Sequence, residues 1–152
     1  SQADLIRRRL MQINMKLFAH RDYIDQHGTP STVEDMPKHR LICHSPDSPQ
    51  VSAGVRWIEP FLTANDSSVM MVNNYFGILQ AVLHGFGIGA LPHYLALDFP
   101  ELITVLPNIV SDPVPVFLAY PEELRNSKRV NAFRDFVIEE MMEDKKKSLT
   151  RP

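Results

Sequence analysis

The sequence predicts an α/β fold built on a mainly parallel sheet. Three observations point there. Short apolar runs alternate with stretches of helical period along the whole chain. Residues 73–91, NNYFGILQAVLHGFGIGAL, compress a polar turn, a helix, a glycine stop and a buried strand into one segment. Composition is that of an ordinary globular domain: 152 residues, 44% hydrophobic and 22% charged, enough for one or two compact units.

The first residues, SQADLIRRRLM, start abruptly, with three consecutive arginines at 7–9 read as a strand edge or surface. Residues 23–27 suit a short helix stopped by Gly28, and Thr29-Pro30 turns the chain. Thr32-Val-Glu-Asp35 reads as a capping box, with Asp35 where Glu or Gln is more usual. Residues 41–43 suit a short buried strand. Pro46 and Pro49 mark residues 44–54 as a loop. Residues 55–58 and 69–72 read as strands, with Met70 and Met71 expected in the strand core.

The helix after Asn73-Asn74 is predicted to face the core with Phe76, Leu79 and Leu83, a stripe widened by Ile78 and Val82. Either asparagine can cap it. His84 falls in its last turn, and Gly85 stands where a left-handed residue ends a helix. Gly85, Gly87 and Gly89 then alternate with Phe86, Ile88 and Ala90 and allow close backbone packing. Residues 92–97 suit a short helix, 102–106 a strand, Asp112-Pro113 a turn and 114–120 a strand ended by Pro121. Ser127 caps a helix with Val130, Phe133, Val137 and Met141 on one face. The tail EDKKKSLTRP is charged and expected to fray.

Charge and cysteine content narrow the function. A net charge of −2 argues against duplex DNA binding by this chain itself. The one cysteine, Cys43, precludes an internal disulfide and fits a reducing, cytoplasmic setting. No apolar run is long enough to span a membrane. His39, Cys43 and His44 lack any ordered metal-ligand spacing, and no oxyanion turn or base–orienter pair accompanies Cys43. Asp22, Asp25, Glu34 and Asp35 read as solvated helix-end carboxylates. The expectation is therefore no metal, no cofactor and no enzyme.

The string "polar turn, helix, A-V-x-x-G-x-G-I-x-x-L-P" resembles the effector-binding domain of LysR-type transcriptional regulators. Three further segments agree in order: LFAHRDYIDQHGTPSTVEDMPKHRLI at 17–42, Trp57 after a short loop, and PVFLAYPEELRNSKRVNAFRDFVIEEM at 115–141. The likeness runs from Asp4 to Met141. Two departures are small: His20 replaces a usual serine, and Met36-Pro37 stands where leucine plus a small residue is common.

The resemblance implies a periplasmic-binding-protein-like effector domain of two α/β subdomains joined by two crossing strands. The second subdomain would be complete here and the first only partial. Residues 1–17 would end subdomain I and make the first crossing, 18–114 form subdomain II, 115–141 return to subdomain I, and 142–152 form a flexible tail. The crossings fall near residues 16–19 and 112–116. The last helix must then bury Phe133, Phe136 and Val137 against a sheet largely absent from the chain, so dimerisation, element swapping or origin in a longer chain is expected. The resemblance also implies a small-molecule effector, held in the strand-to-helix turn Val72-Asn73-Asn74-Tyr75 with the His44-Ser45 loop facing the same cleft. Free helix-start N–H groups and two carboxamides suit an anion. It implies a homo-oligomer, dimer or tetramer, with the helix at 75–84 as a pairing surface through Tyr75, Gln80 and His84. DNA would be bound by a winged helix-turn-helix outside this chain. The alternatives are a solute-binding protein of a transport system, which shares the two-lobed fold, and a small α/β enzyme, for which no acid–base or nucleophile cluster assembles.

Overall fold

The computed structural model describes residues 4–44, 58, 61 and 69–150, with side chains described for these except residues 96–97 and 141–150. Trp57, residues 45–54 of the loop expected at 44–54 and three residues of the strand expected at 55–58 lie outside them; His44, expected in that loop, ends a strand instead, and Ile58 sits in a turn. The strands are β1 (Leu5–Ile13), β2 (Met15–His20), β3 (Leu41–His44), β4 (Val69–Val72), β5 (Ile88–Pro92), β6 (Leu102–Val110) and β7 (Val114–Pro121). The helices are α1 (Arg21–His27), α2 (Tyr75–Leu83), α3 (Leu95–Asp98) and α4 (Lys128–Thr150), with 3-10 turns at Val33–Lys38 and Glu122–Leu124. Two compact units divide the chain: residues 14–114, and residues 1–13 with 115–152.

The 14–114 unit holds a five-stranded sheet in the order β4-β3-β5-β2-β6. Because side chains alternate across a strand, each inner strand feeds two cores. Leu17, Ala19, Leu41, Cys43, Ile88 and Ala90 pack on one face, with Tyr23 of α1 and Met36 of the 3-10 turn. Phe18, Ile42 and Leu91 pack on the other face with Ile78, Ala81 and Val82 of α2. Both faces are covered, which explains why β3 and β5 are buried throughout instead of alternating.

The sheet is mixed, not mainly parallel. β3 pairs in parallel with β4 and β5, but β2 runs antiparallel to both its neighbours, β5 and β6. A helix between two strands makes them parallel only if it carries the chain back along the sheet. α1 and the 3-10 turn stay at the end where β2 stops, so β3 sets off in the opposite direction. Between the partners of Lys16 and Leu17 the β2–β6 register jumps from Val110 to Val105, and Leu106 adopts φ 48° ahead of Pro107. The strand expected at 102–106 thereby runs on to Val110.

Local expectations mostly hold for chemical reasons. His20, in place of the usual serine, caps α1 itself: its Nδ1 accepts the Asp22 N–H at 3.1 Å. The capping box forms, with Asp35 Oδ2 accepting the N–H groups of Ser31 (3.1 Å) and Thr32 (3.2 Å). The Lys38 ammonium at 2.9 Å and those N–H groups hold the Asp35 carboxyl down to about 2. Gly28 and Gly85 take the left-handed φ values of 79° and 71°.

Two core expectations fail. Phe76 is 71% exposed, and α2 instead buries Ile78, Ala81 and Val82, with Leu79 and Leu83 at the margin. The stripe is rotated because α2 settles where β5 presents Gly89; a Cβ there would meet Val82 and Ile78 methyls at 2.6 and 2.9 Å. Met70 and Met71 are 39% and 56% exposed, because β4 lies at the edge of the sheet.

Tyr23 anchors α1 to the 3-10 turn. Its hydroxyl accepts the Arg40 N–H at 3.1 Å and lies 3.3 Å from His39 Nδ1, while the His27 ring stacks on it at 4.4 Å. Burial, then the nearby His27, pushes the His39 pKa below its ordinary 6.5. A base with a lowered folded pKa resists the proton that the unfolded chain accepts. The stability it contributes is full above 6.5 and lost as pH falls from there towards the folded value. The urea midpoint of the chain should therefore drop between about pH 7.5 and about pH 5.5, and His39→Gln should flatten that drop. An unchanged pH slope in the variant would remove His39 as its cause.

In the other unit, β1 and β7 form a two-stranded sheet, and the Arg7 guanidinium lies 4.7 Å above the Phe117 ring. Ser127 caps α4, accepting the Val130 N–H at 3.5 Å through Oγ and the Asn131 N–H at 3.0 Å through its carbonyl. No described residue of this unit is fully buried, and Phe133 and Phe136 remain 57% and 58% exposed.

Candidate functional site

The turn predicted to bind ligand is built where β4 hands the chain to α2. Asn74, not Asn73, is the cap: its Oδ1 accepts the Gly77 N–H at 2.7 Å, and its carbonyl takes the Ile78 N–H at 3.2 Å. Its Nδ2 donates to Asn73 Oδ1 at 2.7 Å, which fixes the two carboxamides as a pair. That leaves the Tyr75 and Phe76 N–H groups and Asn73 Nδ2 without a protein partner among the described residues. These donors stand at the positive end of the helix.

Val72 and His44 are register partners at the carboxyl ends of β4 and β3. The His44 ring is buried and lies 5.5 Å from the Tyr75 ring, tilted by 57°. Burial raises the Tyr75 pKa, so its hydroxyl stays protonated and able to donate. The structure thus joins Val72, Asn73, Asn74, Tyr75 and His44 at one end of the sheet; Ser45 lies outside the described residues.

Beneath these residues is a small hollow of about 10 Å³, lined by Met15, Cys43, His44, Tyr75, Ile78 and Ala90 among others. It has room for about one water. Sequence patterns did not single out Met15, Ile78 and Ala90 as its lining, because they come from three elements distant in sequence. The only legible signal is their phase: Cys43 and Ala90 share one face of the sheet. The Cys43 thiol is buried, and burial pushes its pKa up to about 12, so it is a wall group and a poor nucleophile.

A roomier hollow of about 320 Å³ lies at the opposite end of α2, lined by His20, Asp22, Gln26 and His84 among others. Size alone would favour it. Its charges are mixed: the start of α1 borders it, but so do the carbonyl end of α2 and the Asp22 carboxylate, which oppose an anion. In open α/β sheets, ligands gather outside the carboxyl ends of strands, which is where Asn73-Asn74 and His44 lie. Among the described residues no group of three or more His, Cys, Asp or Glu is arranged to hold a metal, and no helix is long and apolar enough to cross a membrane.

Comparison with known proteins agrees with the fold. The family model described as LysR substrate binding domain matches residues 1–142. An HTH-type transcriptional regulator of Escherichia coli K12, YhjC, is 28% identical over 150 residues, covering 91% of this chain and 48% of that protein. An HTH-type transcriptional regulator of Haemophilus influenzae is 24% identical over 122 residues, covering 78% of this chain and 42% of that protein. The chain thus spans about half the length of these relatives. The regulatory domain of CrgA, a LysR-type transcriptional regulator from Neisseria meningitidis, superposes with a TM-score of 0.69 at 20% identity, over 92% of this chain and 70% of that one.

Proposed function

The chain belongs to the family of LysR substrate binding domains, and on that premise we propose that it senses a small anionic effector at the Asn73-Asn74 turn and thereby governs DNA binding by a separate winged helix-turn-helix. The observation that carries the anion is the open start of α2: two backbone N–H groups without a partner among the described residues, and the Asn73 carboxamide, stand at the positive end of a capped helix. The protonated Tyr75 hydroxyl adds a donor. The effector class that fits is a small carboxylate. The hollow of about 10 Å³ beneath the turn is too small to enclose it, so a carboxylate held at the turn reaches inward only where the Tyr75 and His44 rings part.

A ligand can shift a conformational equilibrium only by its differential affinity for the two states. Parting of the rings is the change this site offers. The family supplies the readout: a regulator in the cytoplasm, with oligomer geometry placing DNA-binding heads. Two described features support self-association: the bare aromatic face of α4, with Phe133 and Phe136, and the exposed Phe76 on α2.

Calorimetric titration of this chain with small carboxylates should give saturable binding. Asn73→Ala, which spares the cap, should weaken it about tenfold, the effect of losing one hydrogen bond to a charged group. Asn73→Ala with Asn74→Ser should weaken it similarly while the serine still caps α2. Affinity unchanged in both variants would refute the assignment.

A further inference from the structure

Met15 belongs to two structures at once. Its side chain forms part of the wall of the hollow beneath Tyr75. Its backbone is clasped by Ser111, whose Oγ accepts the Met15 N–H at 2.9 Å and whose N–H donates to the Met15 carbonyl at 3.1 Å. The Ser111 hydroxyl in turn donates to the Asp112 carbonyl at 2.8 Å. One residue earlier, Asn14 Nδ2 donates to the Ser111 carbonyl at 3.1 Å, and the Asn14 carbonyl accepts the His93 N–H at 2.9 Å. His93 Nδ1 lies 3.3 Å from the Asn14 N–H and 3.2 Å from the Asn14 carbonyl, so either tautomer completes a bond.

Three segments meet here. Asn14 opens the 14–114 unit, Ser111 stands just before the chain leaves it, and His93 follows Pro92, the β5 residue registered against Met15. Ser111 is only 5% exposed, so water cannot readily replace a broken bond. A guest in the hollow must press on Met15. The side chain can yield a little, but its backbone cannot move without straining the Ser111 pair.

We propose that Asn14, Ser111 and His93 form a positioning latch that transmits occupancy of the hollow to the two segments connecting this unit to the rest of the chain. The inference rests on the effector reading above, with a guest at the turn parting the Tyr75 and His44 rings over the hollow, and it adds residues that touch no effector. The structure shows the latch with its bonds made; an effector works through it only by favouring the state in which they are broken.

Backbone-amide NMR and hydrogen exchange on the 152-residue chain test it, with malonate as the probe. In the wild type, malonate should shift the Tyr75, His93 and Asp112 amides with a common midpoint. In Ser111→Ala the Tyr75 shift should persist while those of His93 and Asp112 vanish, and exchange at the Met15 amide should rise about tenfold. Ser111→Thr, which keeps the hydroxyl, should restore all three. Should Ser111→Ala fail to fold, His93→Phe makes the same comparison through Asp112. Malonate shifts at Tyr75 with silent His93 and Asp112 amides in the wild type would overturn the latch and leave the site standing. Silence at residues 73–75 would count against the site. A ligand-free comparison then decides the latch: Met15→Ala must move the His93 and Asp112 amides in the wild-type background and leave them unmoved when combined with Ser111→Ala, or the latch is wrong.

Discussion

Alanine at Gly87 is expected to destabilise the 14–114 unit by roughly 2–3 kcal/mol, near the upper end for overpacking of a tight interior. A Cβ at this position would lie 2.4 Å from the Arg40 carbonyl oxygen and 3.0 Å from its carbon. That carbonyl has no freedom to retreat, because it accepts the Ile88 N–H at 2.8 Å and so belongs to the junction of β3 with β5. The penalty is steric; the left-handed glycine of this exit is Gly85. Gly77 provides the contrast. A Cβ there would make ordinary contact with Asn74 Oδ1 at 3.4 Å and Val72 at 3.5 Å, inside a helix where glycine is a weak former. Gly77→Ala should be neutral or stabilising by up to about 1 kcal/mol. Urea midpoints followed by circular dichroism measure both. Equal effects for the two glycines would mean that the close approach of β5 to Arg40 is misplaced.

Truncating Ile78 to alanine should cost about 2–4 kcal/mol. Ile78 is 1% exposed and sits where α2 meets the sheet, packed with Phe18, Ile42, Val82 and Leu91. Removing its methyls also enlarges the hollow it lines beneath Tyr75. The variant should therefore lose stability and gain room for a small guest at the proposed effector site. Phe76→Ala, on the exposed side of the same helix, should stay within about 0.5 kcal/mol of the wild type. A Phe76 variant that unfolds more readily than the Ile78 variant would restore the helix orientation read from the sequence and remove the one found here.

That orientation marks the limit of what periodicity can say. Phe76, Leu79 and Leu83 share a stripe with Ile78 and Val82 in the sequence, and hydrophobicity cannot rank the two edges of a broad stripe. The choice is made by Gly89 on β5, which is silent in a helical wheel of α2. Met70 and Met71 illustrate the same limit for strands. Their apolarity fits an inner strand, but β4 is the last strand of its sheet, and strand order is a property of the assembled chain. Likewise, the candidate turn was legible because helix caps and positive-end donors are local chemistry. The wall of the hollow was not, since Met15, Ile78 and Ala90 meet only after β2, α2 and β5 have packed.

The sequence by itself determined what depends on neighbours within a few residues: the capping box at Thr32 and Asp35, the left-handed stops at Gly28 and Gly85, the Asn-capped α2, and the strands β3, β4, β5 and β7. Its motif order was also enough to identify the family. Only the tertiary structure decided the reversed direction of β2, the face of α2 that is buried, and the meeting of Asn14, His93 and Ser111. The reason is range. Caps and turns are fixed by hydrogen bonds between residues a few positions apart, whereas packing and register are fixed by surfaces that come together across tens of residues and so leave no local signature in the chain.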